Sequence, residues 1–474
     1  MAQNVHVEND FSFVKEFDRT DRRIQIPILK LYEHEYKQEW AKFTKVNRFF
    51  SRFGYKQLLC LHFDNNFPSK RAEELCLKGV KVNGKAYEFL GCSTAGIKQR
   101  KCFMWQGTRD EVVSILKECG EFGELKTVSQ YLGSISLLFS DVQLTPIIVK
   151  EKQIIRVSDI ERDGYNFTDG CGAIGTTLAK ELAAHIKDKA LDSGYVPSVF
   201  QVRFQGYKGV LAIDPAIDPS SILLRPSMKK FNTDSYPELC ACGYSKTNTF
   251  GDLNEQFIQL LSVLGVHSVE KRNKRVIESR NIYGVCDQSD TLDYGQCFLR
   301  ITINGKPVTL SGRVVVCKNP CYLLGDVRVL TAISDSSVSK LNHLVDCIVF
   351  PTKGKRPHAH EIAGSDLDGD QFFVAWDPDL IPKTVRAPYY YPSVECRTEG
   401  DVTHAKVCSY FAKQNHEQKK MVKIDRLFKM WAARKGVESV ECEKLGQLFA
   451  RVVDASKTED EVEIPEELIL EEPV

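Results

Sequence analysis

Three aspartates at alternate positions are the part of this sequence with the clearest chemical potential. Asp366, Asp368 and Asp370 lie in the stretch HEIAGSDLDGDQFFVAW. On a tight loop such side chains can turn toward one centre, and Gly369 supplies backbone freedom there. Carboxylates that share a centre repel one another unless a cation joins them. Their oxygens suit Mg²⁺ or Mn²⁺, which share their remaining positions with phosphate. The loop therefore predicts a divalent metal site for phosphate chemistry such as nucleotidyl transfer.

Three other interpretations of this loop are weaker. A solvated Asp-Gly turn explains one or two aspartates, but it explains three beside an apolar strand poorly. A calcium loop of the EF-hand kind needs glycine at its sixth position and glutamate at its twelfth, and these positions hold Gln371 and Asp377. A phosphatase of the haloacid dehalogenase kind carries a similar element, but its first aspartate ends a continuous apolar strand. Here EIAGS precedes Asp366.

Two further groups of potential metal ligands are better explained by local packing. Cys240 and Cys242 form a CACG element, but a zinc site normally takes four ligands and the sequence has no second cysteine pair nearby. His358 and His360 in RPHAHEI are expected to hydrogen-bond within a polar loop. A supporting role for these histidines behind the aspartates stays open.

Basic residues that could bind a triphosphate occur in two glycine- or proline-containing segments. Lys208 lies in FQGYKGVLAIDP, and Lys229 and Lys230 end LRPSMKK. They are candidate phosphate partners, although a single lysine is more often a surface residue and GYKG lacks the Walker pattern. The clusters EKRNKR at 270–275 and KGKRP at 353–357 suit either a phosphate backbone or a solvated face.

Basic and aromatic residues alternate in WAKFTKVNRFFSRFGY. This composition suits base stacking with phosphate contact. An amphipathic helix that packs its phenylalanines inward explains it slightly better.

Composition indicates a globular, intracellular protein. The chain has 474 residues, 43% of them hydrophobic, and a formal net charge of +1. This length allows two to four domains, and a near-neutral chain must hold a polyanion through local basic patches. Its sixteen cysteines lack a framework spacing and the start lacks a signal peptide, so we expect reduced thiols in the cytoplasm or nucleus. Without an apolar run of about 18 residues, no membrane span is expected.

Short apolar runs separated by glycine and proline form two β-rich blocks, which suggests two small barrels. We therefore predict an α+β protein with six successive regions. These are an α/β region at 1–140, a first barrel at 141–245, a helical insert at 246–294, a second barrel with the aspartates at 295–380, a helical region at 381–458 and a solvated acidic tail at 459–474.

Several motifs, in this order, resemble the cellular RNA-dependent RNA polymerases of eukaryotic RNA silencing. They are YNFTDGCGAIG, FQVRFQGYKGVLAIDP, LRPSMKKF, GRVVVCKNPCYLLGDVRVL and FPTKGKRPHAHEIAGSDLDGDQFFVAWDPDL. The resemblance extends from KVNRFF near residue 45 to LFARVVDASKTEDEVEIPEEL near the end. It implies two double-psi β-barrels that flank a catalytic cleft, with an α/β N-terminal region and C-terminal helices.

The same resemblance implies an activity and its residues. The family's metal-binding aspartates fall on Asp366, Asp368 and Asp370, which are thus the expected catalytic residues with Mg²⁺ or Mn²⁺. The expected substrate-binding residues are Lys208, Lys229, Lys230 and Arg313. The implied reaction adds ribonucleoside triphosphates along a single-stranded RNA template and makes double-stranded RNA, with proteins of small-RNA pathways as possible partners. Family members are usually much longer, so an inactive RNA-binding scaffold is the alternative.

Overall fold

A computed structural model describes residues 4–5, 16–17, 23–40, 44–188, 191, 194–247, 249–267, 269, 275–392, 400–459 and 462–470. Within these ranges the chain forms three large sheets, one in the N-terminal region and one in each of two successive β-rich regions. Of the basic cluster at 270–275, only Arg275 belongs to the described residues.

The N-terminal region is a mixed sheet covered by short helices. Its strands are β1 (Asn4–Val5), β2 (Glu16–Phe17), β3 (Arg23–Ile24), β4 (Pro27–Leu31), β5 (Tyr36–Trp40), β6 (Thr44–Lys45), β7 (Leu58–Phe63), β8 (Val80–Val82), β9 (Lys85–Gly91) and β10 (Lys101–Gln106). Its helices are α1 (Arg48–Phe53), α2 (Ser69–Lys78), α3 (Thr94–Lys98), α4 (Arg109–Cys119) and α5 (Val128–Ser136). Seven strands form the order β1-β8-β9-β10-β7-β4-β5. Helix α4 begins at a capping box between Thr108 and Glu111, which satisfies its first N–H groups.

The aromatic segment around α1 packs inward. Phe49 and Phe50 are 0% and 2% exposed, so their rings are not available to stack on bases. Arg48 is also buried and donates to the carbonyl oxygens of Gln205 and Leu137, at 2.8 and 3.2 Å. This segment therefore anchors the N-terminal region against the first β-rich region.

The first β-rich region is a curled six-stranded sheet. Its strands are β11 (Ile154–Arg156), β12 (Glu161–Arg162), β13 (Tyr165–Asn166), β14 (Cys171–Ile174), β15 (Val199–Phe204), β16 (Tyr207–Ile213), β17 (Ile222–Leu224) and β18 (Cys240–Tyr244). The sheet order is β11-β17-β14-β16-β15-β18, while β12 and β13 form a separate hairpin. Helix α6 (Thr176–Ala184) packs its apolar face on this sheet.

The predicted helical insert at 246–294 is largely not helical. It contains β19 (Gly251–Asp252), helix α7 (Glu255–Val263), β20 (Arg275–Val276) and a long strand, β21 (Ser279–Cys286). Strand β21 is buried along most of its length and belongs to the second barrel. The helical spacing of apolar residues holds for α7, whereas β21 begins with Ser279 and Arg280, which are polar but buried, so hydrophobic spacing does not predict this strand.

The second β-rich region is a closed barrel. Its further strands are β22 (Gln296–Ile303), β23 (Lys306–Thr309), β24 (Gly312–Cys317), β25 (Arg328–Ala332), β26 (Cys347–Phe350) and β27 (Gln371–Ala375), with helix α8 (His358–Glu361) before β27. The order β23-β22-β25-β24-β27-β21-β26 closes because β22 also pairs with β26. The core of this barrel includes Val199 and Val210 of the first sheet, so the two barrels share buried surface.

Two C-terminal helices, α9 (His404–Lys435) and α10 (Val440–Thr458), pack together and cover the second barrel. The predicted acidic tail is partly buried instead of solvated. Val462 and Leu468 are 0% exposed, and Trp431 donates its indole N–H to the carbonyl of Leu468 at 3.0 Å. Apolar residues between the acidic ones give this segment a buried side.

The described cysteines are all free thiols. Among the helices that the structure describes, we find none with the length and apolar character needed to cross a bilayer.

Candidate active site at the barrel interface

The three aspartates lie on a short loop, residues 364–370, which we call the aspartate loop. It connects α8 to β27, and β27 lies between β24 and β21 in the closed barrel. The antiparallel register pairs Cys317 with Phe373. This register brings Lys318, the residue after β24, to the beginning of β27, where its ammonium forms an ion pair with Asp370. The second barrel thus supplies both the loop and a lysine.

The first barrel reaches the same loop from the other side. Lys208 on β16 places its Nζ 2.8 Å from Asp368 Oδ2, and these side chains are only 29% and 19% exposed. Gln201 on β15 donates its side-chain amide to the Asp368 carbonyl at 3.4 Å. The backbone N–H of Leu367 donates to the carbonyl of Asp169 at 3.0 Å. The aspartate loop is therefore held at the interface of the two barrels.

Two glycines allow the backbones of the barrels to approach. A Cβ atom at Gly170 would lie 2.7 Å from Asp368 Cα and 2.9 Å from Asp368 N, closer than real side chains come. A Cβ atom at Gly369 would lie 2.8 Å from Gln201 Cδ. Both glycines also have positive φ angles, +76° and +136°. Only glycine combines these backbone angles with such close contacts at low cost.

The carboxylates of the loop are balanced by lysines and by backbone N–H groups. Asp366 N–H donates to Asp370 Oδ2 and Asp368 N–H donates to Asp366 Oδ1, both at 3.1 Å. Lys208 pairs with Asp368 and Lys318 pairs with Asp370. The atoms of these side chains that could bind a metal are all carboxylate oxygens, which are the ligands that Mg²⁺ and Mn²⁺ prefer. In the part of the chain that the structure describes, however, no three acidic, histidine or cysteine side chains are already gathered around one point.

The other basic residues that the sequence singled out contact groups outside the aspartate loop. Lys229 is exposed, with its Nζ 6.0 Å from the centre of the Tyr207 ring. Lys230 donates to the Ser227 carbonyl at 2.7 Å. Arg313 donates to the Pro382 carbonyl at 2.8 Å, and it lies near the start of β24, whereas Lys318 follows the end of that strand. The structure thus brings Lys208 to the aspartates and leaves Arg313 away from them.

Lys318 is the site residue that the sequence reasoning missed. It lies in the motif GRVVVCKNP, in which the resemblance to the polymerase family indicates Arg313 instead. One sequence feature could have indicated Lys318: it follows directly after a run of apolar residues typical of a strand, and a side chain at the end of a strand can reach a neighbouring loop.

A buried network supports the residues that precede the aspartate loop. Glu361 is 2% exposed and accepts hydrogen bonds from His358 Nδ1 and from the Tyr294 hydroxyl, both at 2.6 Å, with Arg328 Nε 3.7 Å away. The Gly295 N–H donates to His358 Nε2 at 2.8 Å, so the His358 ring is neutral with its proton on Nδ1. Burial raises the pKa of Glu361, but the hydrogen bonds from His358 and Tyr294 outweigh it and the pKa is lowered. Local hydrogen bonding, as predicted for His358, is what the structure contains.

Replacing Glu361 with glutamine should lower the free energy of unfolding by about 1–3 kcal/mol at pH 7, because buried donors lose a charged acceptor. Urea unfolding measures this loss. The pKa of Glu361 is below its ordinary value of 4.5, so its contribution is present above pH 4.5 and fades as pH falls through the lower folded value. The difference in the free energy of unfolding between variant and wild type should therefore shrink in acid.

Glu467→Gln is the control, because Glu467 is 63% exposed and its ion pair with Lys444 contributes less than about 1 kcal/mol. Equal losses in both variants would contradict a special role for Glu361.

The architecture matches a solved polymerase structure. The RNA dependent RNA polymerase QDE-1 from Thielavia terrestris superimposes with a TM-score of 0.76 over 93% of this chain and 65% of that one, at 16% sequence identity. At this identity the match concerns the fold. It confirms the predicted α+β architecture with two double-psi β-barrels, an α/β N-terminal region and C-terminal helices.

Sequence comparison gives the family. The probable RNA-dependent RNA polymerase 1 of Oryza sativa subsp. japonica is 30% identical over 85% of this chain and 64% of its own length. RNA-dependent RNA polymerase 6 of Arabidopsis thaliana is 30% identical over 84% of this chain and 40% of its own length. The chain thus spans 64% and 40% of these two relatives. The model of the family described as RNA dependent RNA polymerase matches residues 2–277 and 267–473, and this chain belongs to that family.

Proposed function

We propose that this chain catalyses template-directed addition of ribonucleoside triphosphates to RNA and so makes double-stranded RNA for gene silencing. One observation carries the proposal: Lys208 and Lys318, one from each barrel, meet carboxylates of the same loop. Nucleotidyl transfer needs cations for the triphosphate next to acidic ligands for a metal, and this arrangement contains both. Membership of the polymerase family supports the same activity.

Asp366, Asp368 and Asp370 would hold Mg²⁺ or Mn²⁺. When bound, such an ion activates the attacking hydroxyl and neutralises charge on the phosphates. Lys208 and Lys318 would exchange their carboxylate partners for phosphate oxygens, and they would remain beside the leaving pyrophosphate as fixed positive charges. Because both barrels anchor the loop, these charges are positioned before the substrate arrives.

The template strand has a suitable path next to the loop. A cavity of about 270 Å³ has Gln371, the residue after Asp370, in its wall. Lys45, Lys187 and Lys246 come to this wall from three different segments, and Asp188 and Asp346 also line it. Because the lysines outnumber the aspartates, we propose that the single-stranded RNA template binds there through its phosphates.

A primer-extension assay tests the proposal. The full chain is mixed with a single-stranded RNA template, with or without a primer, four ribonucleoside triphosphates and Mg²⁺. We expect labelled product that depends on template sequence and disappears when the metal is chelated. RNA binding without any product would favour the inactive scaffold instead.

Lys208→Ala should raise the KM for ribonucleoside triphosphates about 10- to 100-fold, because the variant loses one charge-assisted hydrogen bond to a phosphate oxygen. The Kd for the RNA template, measured by fluorescence anisotropy, should change less than about twofold. Lys208 contacts the aspartate loop and does not line the 270 Å³ cavity that we assign to the template. Lys246→Ala is the matched control and should show the reverse pattern, since Lys246 lines the cavity. Equal effects of Lys208→Ala on both quantities would place Lys208 on the template path.

A further inference from the structure

A turn of the first barrel, residues 168–171, touches the middle of the aspartate loop, and we call it the contact turn. The Asp169 carbonyl accepts the Leu367 N–H at 3.0 Å, and the backbone of Gly170 lies against Asp368. The Leu367 side chain is 3% exposed and belongs to the core of the second barrel. The position of the contact turn therefore sets where the backbone of the aspartate loop can lie.

Ser227 holds the contact turn through its hydroxyl group. It lies in a single helical turn, Pro226–Met228, and its Oγ accepts the Gly170 N–H at 3.0 Å. The same hydroxyl donates to Asp159 Oδ1 at 2.7 Å, and the Ser227 N–H donates to Asp159 Oδ2 at 2.9 Å. Because the single hydroxyl proton points to Asp159, a lone pair of the oxygen is left to face Gly170.

Asp159 is the acceptor that orients this hydroxyl. It also accepts the Thr168 hydroxyl at 3.0 Å, so it binds the contact turn at a second residue. Burial raises the pKa of Asp159, but hydrogen bonds from Ser227, Asn166 and Thr168 outweigh it and the pKa is lowered. The carboxylate is therefore charged at neutral pH, and hydrogen bonds to a charged acceptor are roughly twice as strong as those between neutral groups.

Arg225 fixes the segments on either side of these contacts. It is 6% exposed and donates from Nε to the Cys171 carbonyl at 3.1 Å and from Nη1 to the Ser158 carbonyl at 2.5 Å. Arg225 thus ties the barrel segments together, whereas Ser227 binds the residue that lies against Asp368. Glycine has the largest backbone freedom of any residue, so a hydrogen bond from outside the turn is what limits Gly170 to one conformation.

We propose that Ser227 is a positioning residue of the polymerase site, which keeps the aspartate loop in place through Gly170 and the Asp169 carbonyl. The inference rests on the proposed polymerase function for the reaction that the loop serves. Without the hydroxyl, the Gly170 N–H loses its partner and the contact turn gains freedom. The aspartates next to this turn then spend less time in the arrangement that suits catalysis, and small displacements of reacting groups lower rates steeply.

Hydrogen exchange of the metal-free, full-length chain tests the inference without turnover. Ser227→Ala should speed exchange about 10-fold in the peptides that contain Gly170 and Leu367, because one hydrogen bond no longer opposes local opening. Mass spectrometry of short overlapping peptides measures this change. Ser227→Thr keeps a hydroxyl group at the same position and should exchange like the wild type.

Ser198→Ala is the matched control. Ser198 is 3% exposed, and its hydroxyl also makes two hydrogen bonds, donating to the His343 carbonyl at 3.1 Å and accepting the Val345 N–H at 2.9 Å. This variant should speed exchange in the peptide that contains Val345 and leave the Gly170 and Leu367 peptides unchanged. Urea unfolding should show similar losses of stability in Ser198→Ala and Ser227→Ala, since each loses two hydrogen bonds.

Single-turnover primer extension gives the second readout. Ser227→Ala should lower the maximal incorporation rate about 10-fold and raise the Mg²⁺ concentration that gives the half-maximal rate, as loss of a group that supports metal ligands does. The Kd for the RNA template should stay at its wild-type value. Ser227→Thr should restore the rate, and Ser198→Ala should keep it.

Wild-type exchange of the Gly170 and Leu367 peptides in Ser227→Ala would overturn the inference, and so would equal losses of rate in Ser227→Ala and Ser198→Ala. If the wild type extends RNA and Ser227→Ala does so at the same rate, the positioning role fails while the polymerase activity stands. If the wild type makes no product but Ser227→Ala still exchanges faster at both peptides, Ser227 positions the loop and the proposed function fails.

Discussion

Asp368→Asn should reduce template-directed ribonucleotide incorporation by at least about 1,000-fold, which corresponds to about 4 kcal/mol of transition-state stabilisation. The amide keeps the size of the side chain but removes a negative oxygen from the set that would hold the metal. The fold should survive, because the asparagine side chain has the same size and its amide oxygen can still accept a hydrogen bond from Lys208. Primer extension under single-turnover conditions measures the loss, and thermal unfolding checks the fold.

Asp293→Asn is the matched control for this variant. Asp293 also pairs with a lysine, Lys353, at 3.1 Å, but its side chain is 69% exposed and it lies outside the aspartate loop. It should retain incorporation near the wild-type rate. Substantial synthesis by Asp368→Asn would show that the aspartate loop is not the metal site.

The barrels were predictable from sequence because their strands are short, apolar and separated by turn residues. The errors occurred where burial removed the local signal. Strand β21 begins with Ser279, Arg280 and Asn281, and the first two are buried although they are polar, so hydrophobic spacing does not reveal the strand; its pairing with β26 and β27 defines it. The C-terminal segment was assigned as a solvated tail because its acidic residues are numerous, while its few apolar residues, Val462 and Leu468, determine that it packs.

Some residues of the site can be predicted from the local sequence, whereas others depend on contacts between distant segments. Spacing within five residues is enough to single out the three aspartates, and the flanking glycines single out Lys208. Lys318 depends on the register between β24 and β27, which no local pattern encodes. Sequence also predicted carboxylates that need a metal to offset their repulsion, whereas the structure places lysines from both barrels in that role. Each of these two lysines neutralises one carboxylate of the loop and is positioned to bind a phosphate group.

Gly170→Ala tests whether the two barrels must meet this closely. The added methyl group would lie within 3.0 Å of three Asp368 atoms, two of them in the backbone, so the aspartate loop must move. A displacement of about 1 Å in a reacting group can cost about 100-fold in rate, and we expect at least that loss of incorporation. The φ angle of +76° adds about 1 kcal/mol of backbone strain.

Gly84→Ala is the control that separates the effect of backbone strain from the effect of displacing the aspartate loop. Gly84 has nearly the same φ angle, +78°, but nothing lies within 4 Å of a Cβ atom built there. Gly84→Ala should lose only a small amount of stability in urea unfolding, Gly170→Ala should lose more because of its clash with Asp368, and only Gly170→Ala should lose activity. Because the loop carries the metal ligands, the loss in Gly170→Ala should fall mainly on the maximal rate, with template affinity preserved. Wild-type incorporation by Gly170→Ala would mean that the contact between the barrels at Asp368 does not position the aspartates for catalysis.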